Sequence, residues 1–281
     1  MSALSITSTL TLRNGIKMPR FGLGVYEMSG QQCTKSVTWA LEQGYRLIDS
    51  AEWYENEEES GAAIRKWVDS TPGASRSSIF YVSKLKSNRG YQATKSSIQE
   101  SLDKCGLGYI DLYLIHSPHS GKQKRLESWK AMEEAVDSGV IRSIGVSNYG
   151  TKHIRELLDA CRIKPCINQV DLHPFMTRTD IVKLCRDNDI HLMAWGPLVR
   201  GEKFDHPVIV SMSKKYGKSP AQILLRWGLQ HDFITIPKSV SKDRIIQNSQ
   251  VFDINIEPED MKVMDALDEY FVTDWDPTKA D

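Results

Sequence analysis

Hydrophobic residues form eight short runs that are apolar throughout and do not alternate with polar residues. The runs are rich in β-branched side chains and cover residues 21–25, 45–51, 79–85, 110–117, 141–147, 165–172, 190–197 and 232–237. Strands have this composition when helices cover both faces of a parallel sheet. The pattern therefore predicts eight buried parallel strands.

Segments with helical spacing lie between these runs. The clearest helices are predicted at 31–43, 92–105, 124–137 and 221–230, and an acidic, well-capped helix is expected to begin just after Tyr54. Eight β-α units in 281 residues favour an α/β fold of the (β/α)8 TIM-barrel type, forming a single domain over residues 1–281. Asn14-Gly15 predicts a short β-hairpin over residues 5–18, ahead of the barrel.

An open, doubly wound sheet is the alternative architecture. Such a sheet carries a phosphate-binding G-x-G-x-x-G after its first strand. The first run contains Gly22 and Gly24, but neither a third glycine nor a helix start follows them. The closed barrel is therefore the preferred prediction.

The charge balance restricts the classes of partner. The chain has 36 basic and 36 acidic residues, which disfavours binding to nucleic acid or to an acidic membrane surface. No apolar run approaches the roughly 18 residues of a membrane span, and no signal-peptide pattern is found. The five cysteines include no C-x-x-C pair, so we expect reduced thiols in a cytoplasmic protein. The expected assembly is a monomer or a weak homodimer.

Four proton-carrying or charged residues follow three neighbouring runs. The second run contains Asp49, with Tyr54 in the loop behind it; the third run contains Lys84 and the fourth His116. Catalytic groups of a barrel lie at the C-terminal ends of its strands. We therefore expect the four residues to meet at one face.

The chemistry of this set is that of a general acid. A tyrosine pKa is near 10, and a lysine ammonium nearby is expected to lower it by stabilising the phenolate. Asp49 can neutralise a buried Lys84, and His116 can donate a hydrogen bond to a carbonyl oxygen. Neither a nucleophile with an adjacent base nor a metal site is recognised, so no metal is predicted. An external reductant or electrophile is required.

Three separated segments resemble the signatures of the aldo-keto reductase family. They read D-S-A-E-W-Y-E-N-E-E-E-S-G, G-Y-I-D-L-Y-L-I-H-S-P and I-P-K-S-V-S-K-D-R-I-I-Q-N, and the likeness extends in order over nearly the whole chain. It implies a microbial or fungal type of carbonyl reductase, related to alcohol dehydrogenases, that reduces aldehydes or ketones with NADPH. Tyr54 would be the proton donor, Lys84 and Asp49 would tune it, and His116 would orient the carbonyl.

The resemblance also implies the residues that bind NADPH. The nicotinamide end would use Ser147, Asn148, Gln169 and Trp195, and the pyrophosphate would pass the segment Gly196, Pro197, Leu198 and Val199. The adenosine 2′-phosphate would be held by Lys238, Ser239, Val240 and Arg244, with Gln247 and Asn248 near the adenine. Two cations beside a helix N-terminus favour a phosphate monoester, hence NADP over NAD.

Substrate contacts are predicted at Tyr26, Trp53, Ser117 and His119. Ser117 stands where many family members have tryptophan, so a wider pocket is expected there. The loop after the fourth run and the tail at 269–281 are short, which predicts an open, permissive pocket. Acidic residues 55–59 are expected to form a first helical turn that is favourable to the helix dipole, and His153 is expected at the surface or at the end of an element.

Two other functions stay open at this point. One is an NADP-binding regulatory or sensor subunit on the same barrel, with little turnover. The other is a metal-dependent hydrolase, for which His116-x-x-His119 and Asp171-x-His173 are the nearest ligand clusters. The sequence does not identify the substrate, the product stereochemistry or the physiological direction.

Overall fold

The computed structural model describes residues 4–281. Its first element is an antiparallel hairpin of β1 (Thr9–Thr11) and β2 (Lys17–Pro19), which turns at Gly15 with a φ of +83°. Leu12 and Met18 pack among residues that begin the barrel strands, such as Phe80. The predicted hairpin is thus confirmed, and it covers the N-terminal end of the barrel.

Eight parallel strands follow in chain order, each paired with the next. They are β3 (Leu23–Gly24), β4 (Leu47–Asp49), β5 (Phe80–Leu85), β6 (Ile110–Ile115), β7 (Ile141–Ser147), β8 (Ile167–Asp171), β9 (His191–Trp195) and β10 (Ile234–Thr235). Parallel bridges from Phe21 to Thr235 and from Gly24 to Lys238 join the first strand to the last. The eight predicted strands and the closed barrel are confirmed.

Helices surround the strands. They are α1 (Gly30–Glu42), α2 (Glu57–Ser70), α3 (Tyr91–Cys105), α4 (Gly121–Asp137), α5 (Thr151–Ala160), α6 (Thr179–Asp187), α7 (Pro207–Tyr216), α8 (Pro220–Gln230), α9 (Lys242–Asn248) and α10 (Pro258–Asp265). All four clearly predicted helices are present, and the one predicted from 124 begins at Gly121. Among residues 4–281, every helix is too short or too polar to serve as a membrane span.

Two hydrophobic layers hold this arrangement together. The inner layer fills the barrel with side chains such as Leu47, Leu112 and Ile167. The outer layer packs the opposite faces of the strands against the helices, with Tyr81 and Trp129 fully buried. Because both faces of each strand are covered, a continuous apolar run is the composition that the strands require.

The start of α2 differs from the prediction. Asn56 is the N-cap residue, but its side chain makes no capping hydrogen bond to the helix. The predicted acidic first turn is present, and within it Glu57 is only 2% exposed and accepts a hydrogen bond from Ser83. Both side chains form hydrogen bonds with residues outside α2, whereas the sequence pattern predicts that the start of this helix is stabilised locally.

Candidate active site

The C-terminal ends of the strands surround a cleft of about 770 Å³. Tyr54, Asp49 and His116 line one end of it, and Lys84 is fully buried behind them. The cleft continues past the tips of β7, β8 and β9 to the beginning of α9. The structure therefore brings the four predicted catalytic residues to the same end of one cavity.

Lys84 is the centre of the contacts among these residues. Its Nζ donates to Asp49 Oδ1 at 2.6 Å, to the Ser50 carbonyl oxygen at 2.8 Å and to Tyr54 Oη at 3.1 Å. A lysine ammonium has three N–H donors, so all of them are used. The Tyr54 oxygen thus receives a hydrogen bond from Lys84, and its own proton is free to point elsewhere.

Asp49 is held on both of its oxygens. Oδ1 receives the bond from Lys84, and Oδ2 accepts from Gln169 Nε2 at 2.7 Å. Burial raises the pKa of Asp49 and lowers the pKa of Lys84, while their mutual attraction opposes both shifts. The pair is therefore a dry, hydrogen-bonded ion pair, and Gln169 is part of it.

The pKa of Tyr54 shifts in the direction opposite to the prediction. Burial, followed by the Asp49 carboxylate, raises the pKa of Tyr54 well above 10. The Lys84 charge does not reverse this shift, because Asp49 already neutralises it at 2.6 Å. Tyr54 consequently keeps its proton at neutral pH, which a proton donor must do.

His116 stands against the ring of Tyr54, with the ring centroids 5.5 Å apart. Burial, assisted by the Lys84 charge, lowers the pKa of His116 well below 6.5. The imidazole is therefore neutral at pH 7 and carries one N–H donor. Within residues 4–281, its buried Nδ1 has no hydrogen-bond partner.

The middle of the cleft is lined by Ser147, Asn148, Gln169 and Trp195, as predicted for the nicotinamide end. Asn148 Nδ2 donates to the His116 carbonyl oxygen at 2.9 Å and to Ser147 Oγ at 3.1 Å, and its Oδ1 accepts from Trp195 Nε1 at 2.9 Å. These bonds fix the Trp195 ring. They also leave one lone pair on Asn148 Oδ1 for a further donor.

The far end of the cleft carries the residues predicted to bind the pyrophosphate and the adenosine. Its lining includes Gly196, Pro197, Leu198, Lys238, Ser239, Val240, Arg244, Gln247 and Asn248. Lys238, Arg244 and Gln247 are exposed, whereas Ser239 and Asn248 are buried. Val199, by contrast, is fully buried in the core outside the lining.

Only two of the four predicted substrate residues line the cleft. Tyr26 and Trp53 do, and they are 40% and 52% exposed. Ser117 is buried outside the lining, and His119 is exposed beside Trp275, with the ring centroids 5.9 Å apart. Ser117 lies just after β6, and its carbonyl oxygen accepts a hydrogen bond from Asn88 Nδ2 at 2.9 Å.

The C-terminal tail supplies a wall that the sequence analysis did not predict. Trp275 lines the cleft, and its ring centroid lies 6.3 Å from those of both His116 and Trp53. Thr273 anchors this segment, since its N and Oγ1 donate to Asp171 Oδ2 at 3.1 and 2.9 Å. The short tail therefore contributes an aromatic side chain to the lining of the cleft on this side.

A buried histidine also secures the tail. His153 is 1% exposed, accepts from the Gly150 N–H and contacts the Ala280 carbonyl oxygen at 2.7 Å. His153 therefore lies at the beginning of α5, one of the two predicted kinds of position, and not at the surface. No local pattern marks this histidine, because its partner lies 127 residues away in sequence.

Two residues that the sequence pattern does not point to, Glu27 and Arg200, form an ion pair across the cleft. Glu27 carries an oxygen 3.3 Å from Arg200 Nη2 and another 3.9 Å from Lys238 Nζ. Arg200 follows β9, whereas Glu27 follows β3, so the ion pair joins the two sides of the cavity. Sequence spacing alone gives no signal for a contact of this kind.

Comparison with known proteins gives one consistent family. Residues 19–204 and 205–269 match the model of the Aldo/keto reductase family. An uncharacterized oxidoreductase of Schizosaccharomyces pombe is 47% identical over 96% of this chain and 97% of its own. The glyoxal reductase of Bacillus subtilis is 43% identical over 94% of both chains.

Solved structures agree with the sequence relatives. An aldo-keto reductase enzyme from a Medee basin deep-sea metagenome library superposes with a TM-score of 0.90 at 33% identity. The match covers 98% of this chain and 100% of that one. An aldo/keto reductase from Brucella melitensis gives a TM-score of 0.88 at 36% identity, covering 93% of this chain and all of the other.

Proposed function

Because the chain belongs to the aldo-keto reductase family of oxidoreductases, we propose that it reduces aldehydes or ketones to alcohols with NADPH, and that Tyr54 donates the proton. NADPH, when bound, supplies a hydride to the carbonyl carbon. The residues of the chain then hold the carbonyl, protonate its oxygen and keep water away from both.

The observation that carries the proposal is the triple hydrogen bonding of Lys84. Since Nζ donates to the Tyr54 oxygen, that oxygen is an acceptor there and its hydroxyl proton is available to a substrate. As the proton leaves, the phenolate that forms lies 3.1 Å from an ammonium inside a largely dry site. Such fixed charges stabilise a developing anion more strongly than water does.

His116 is proposed to orient the carbonyl. Its ring stands nearly at right angles to Tyr54, with an interplanar angle of 77°, and both side chains line the same end of the cleft. A neutral imidazole can donate one hydrogen bond to the carbonyl oxygen without adding a competing acid. The depressed pKa of His116 supports this neutral role.

Side chains that line the cleft have the free acceptor and the aromatic face that a nicotinamide ring needs. The remaining lone pair of Asn148 Oδ1 can accept from a primary amide, and Trp195 beside it offers a fixed aromatic face. Gly196 has a φ of +62°, and a Cβ there would lie 2.7 Å from Asp171 Oδ1. Only glycine therefore lets the backbone follow this path beside Asp171 at the predicted pyrophosphate segment.

The choice of NADPH over NADH rests on the exposed cations. Lys238 and Arg244 both line the far end of the cleft, beside the beginning of α9. A guanidinium and an ammonium around one site favour a phosphate monoester, which NADPH has at the adenosine 2′ position and NADH lacks. Gln247 and Asn248 are proposed to contact the adenine.

Small aldehydes and activated ketones are the proposed substrates. The relative from Bacillus subtilis is a glyoxal reductase, and the rings of Trp53 and Trp275 lie beside His116, with centroids 6.0 and 6.3 Å from its own. The balanced charge and the five free thiols support a cytoplasmic enzyme acting on small molecules. We further propose that residues 1–281 form one domain that acts as a monomer.

A carbonyl panel tests the reaction directly. Purified protein is mixed with NADPH and with glyoxal, small aldehydes or ketones, and NADPH absorbance is followed; the panel is repeated with NADH. We expect turnover with NADPH that is clearly faster than with NADH. Tight NADPH binding without turnover across the panel would instead favour the sensor subunit.

Replacing Tyr54 by phenylalanine tests the proton donor. General acid catalysis contributes about 10²–10⁴-fold, so Tyr54→Phe should reduce the single-turnover rate by that factor. NADPH affinity, measured by fluorescence titration, should stay nearly unchanged because the adenosine site lies at the other end of the cleft.

Tyr26→Phe provides the matched control. Its phenol lines the same cleft, with its ring centroid 5.1 Å from that of Tyr54. We expect a far smaller loss of rate in this variant. A Tyr54→Phe enzyme with normal turnover would show that another group supplies the proton.

A further inference from the structure

Asn56 lies two residues after Tyr54 and has no exposed surface. Its Nδ2 donates to the carbonyl oxygens of Val25 and Met28, each at 2.8 Å, and its Oδ1 accepts from Ser50 Oγ at 2.7 Å. Both amide hydrogens and the amide oxygen are therefore used within the protein. A side chain this completely bonded fixes the segments that it joins.

The three bonds of Asn56 join the segments that surround Tyr54. Val25 and Met28 flank the loop after β3, which carries Tyr26. Ser50 follows Asp49 at the tip of β4, and the Ser50 carbonyl oxygen accepts one of the three Lys84 bonds at 2.8 Å. One buried amide thus links the Tyr54 loop to two of the structures against which Tyr54 is placed.

The Tyr54 loop requires such an anchor. Tyr54 ends a single 3-10 turn, Glu52–Tyr54, and Glu55 follows in the left-handed region with a φ of +54°. A non-glycine residue in that region is unfavourable unless its surroundings hold it there. Asn56 comes immediately after it and leads into α2, so its bonds determine where the turn lies.

We propose that Asn56 is a positioning residue that holds the Tyr54 hydroxyl in place between Lys84 and the carbonyl substrate. This inference rests on the proposed role of Tyr54 as proton donor. Asn56 itself touches neither the cleft nor a reacting atom, and it acts through the backbone carbonyls and Ser50. It is the reason that α2 has an asparagine at its N-cap position without a capping bond.

The test is Asn56→Ala, with single-turnover rate and NADPH affinity measured separately. Misplacing a catalytic group by about 1 Å can cost about 10²-fold, so we expect the rate to fall at least about tenfold. NADPH affinity should change less than about twofold, because the adenosine site is built from residues 238–248. A loss of rate with retained cofactor binding separates positioning from general unfolding.

Glu133→Ala is the matched control for lost stability. Glu133 is 7% exposed, and its Oε1 accepts from the backbone N–H groups of Arg162 and Ile163 at 2.7 and 2.8 Å. It thus also satisfies two backbone groups, which are partly buried, but near the segment that enters β8, at the end of the barrel opposite the cleft. We expect both variants to lower the unfolding midpoint by several degrees, and only Asn56→Ala to reduce the single-turnover rate.

Ser50→Ala gives a milder version of the same change. It removes the bond to Asn56 Oδ1 but keeps both bonds to the β3 loop, so a smaller loss of rate with unchanged NADPH affinity is expected. If Asn56→Ala does not fold, this variant decides the question. Equal rates in the Ser50→Ala, Glu133→Ala and unaltered proteins would overturn the positioning role.

The same experiment separates the two proposals. If the unaltered protein binds NADPH but reduces no carbonyl, the proposed function fails before Asn56 is considered. If the unaltered protein reduces carbonyls, Tyr54→Phe is inactive and Asn56→Ala behaves like Glu133→Ala, only the role of Asn56 is wrong.

Discussion

At one end of the cleft the charges are buried and paired, and at the other end they stand in solvent. Asp49 is 2% exposed and Lys84 is fully buried, and they meet at 2.6 Å. Lys238 and Arg244 are both exposed, and the nearest Lys238 contact with a carboxylate is 3.9 Å. Charged residues, lysine among them, thus occupy opposite environments at the two ends of one cavity.

This difference in burial between the two ends fits two separate steps of the proposed function. A buried, fully hydrogen-bonded set does not need to reorganise when a negative charge develops on a carbonyl oxygen, which is the condition for electrostatic catalysis. Solvated cations can receive and release a phosphate without a large change in their own hydration. Under the proposed function, the buried end would hold the reacting groups in fixed positions, and the exposed end would bind and release NADPH.

We expect the largest effect, a loss of unfolding free energy, from removing the buried counter-charge of Lys84. Asp49→Asn leaves Lys84 buried without a carboxylate, and breaking a buried pair in this way costs about 3–5 kcal/mol of unfolding free energy. Chemical denaturation should show this loss, together with strongly reduced turnover.

The exposed ion pair of Arg20 and Asp232 is the matched control. It has a similar separation, 2.8 Å, but Asp232 is 80% exposed on its side chain. Asp232→Asn should cost at most about 1 kcal/mol. Equal losses in the two variants would contradict the contrast between a dry end and a solvated end.

The second-largest expected effect is on the preference for NADPH over NADH. Arg244→Ala should weaken NADPH binding about tenfold, since one charge-assisted bond to phosphate is worth about 1.5–3 kcal/mol and the site is exposed. NADH affinity should stay within about twofold. Fluorescence titration measures both.

Lys242→Ala removes an equal charge from the same helix. Lys242 is exposed and does not line the cleft. It should leave NADPH affinity nearly unchanged at moderate salt. If the two variants weaken NADPH equally, the effect of Arg244 is one of overall charge and not of a specific phosphate contact.

The smallest expected effect concerns pH. The pKa of His116 is lowered and that of Tyr54 is raised, so both keep one protonation state between pH 6 and 8. The single-turnover rate with saturating NADPH should then change less than about twofold over that range. NADPH affinity should fall below about pH 6, where a phosphate monoester gains a proton. A rate that declines with a midpoint near pH 6.5 would show that His116 titrates normally and that the chemistry end is wetter than its contacts indicate.

The sequence was most informative about strands and their ends. Asp49, Lys84 and His116 were predicted together because parallel strands of a barrel expose their C-terminal ends at one face. Local order along the chain is enough for that inference. The resemblance to the aldo-keto reductases, and not the strand order, pointed to Ser147, Gln169 and Trp195, and all three line the cleft.

Side-chain environments were less predictable. The expected fall in the Tyr54 pKa considered only the nearby lysine, whereas burial, followed by the Asp49 carboxylate, raises the Tyr54 pKa. Asn56 and Glu57 were assigned to the beginning of α2 by their spacing, yet their partners are Val25, Met28 and Ser83. Burial and long-range bonding depend on distances that no local pattern contains.

By itself, the sequence determined the eight strands, their order and the residues at their ends, since hydrophobic periodicity and chain direction fix these. Only the tertiary structure decided how the cavity is closed. Trp275 reaches His116 because Thr273 is bound to Asp171, 102 residues earlier, and Glu27 reaches Arg200 across the cleft. Such contacts arise when distant segments are packed together, and no local pattern in the sequence contains the spatial distances on which they depend.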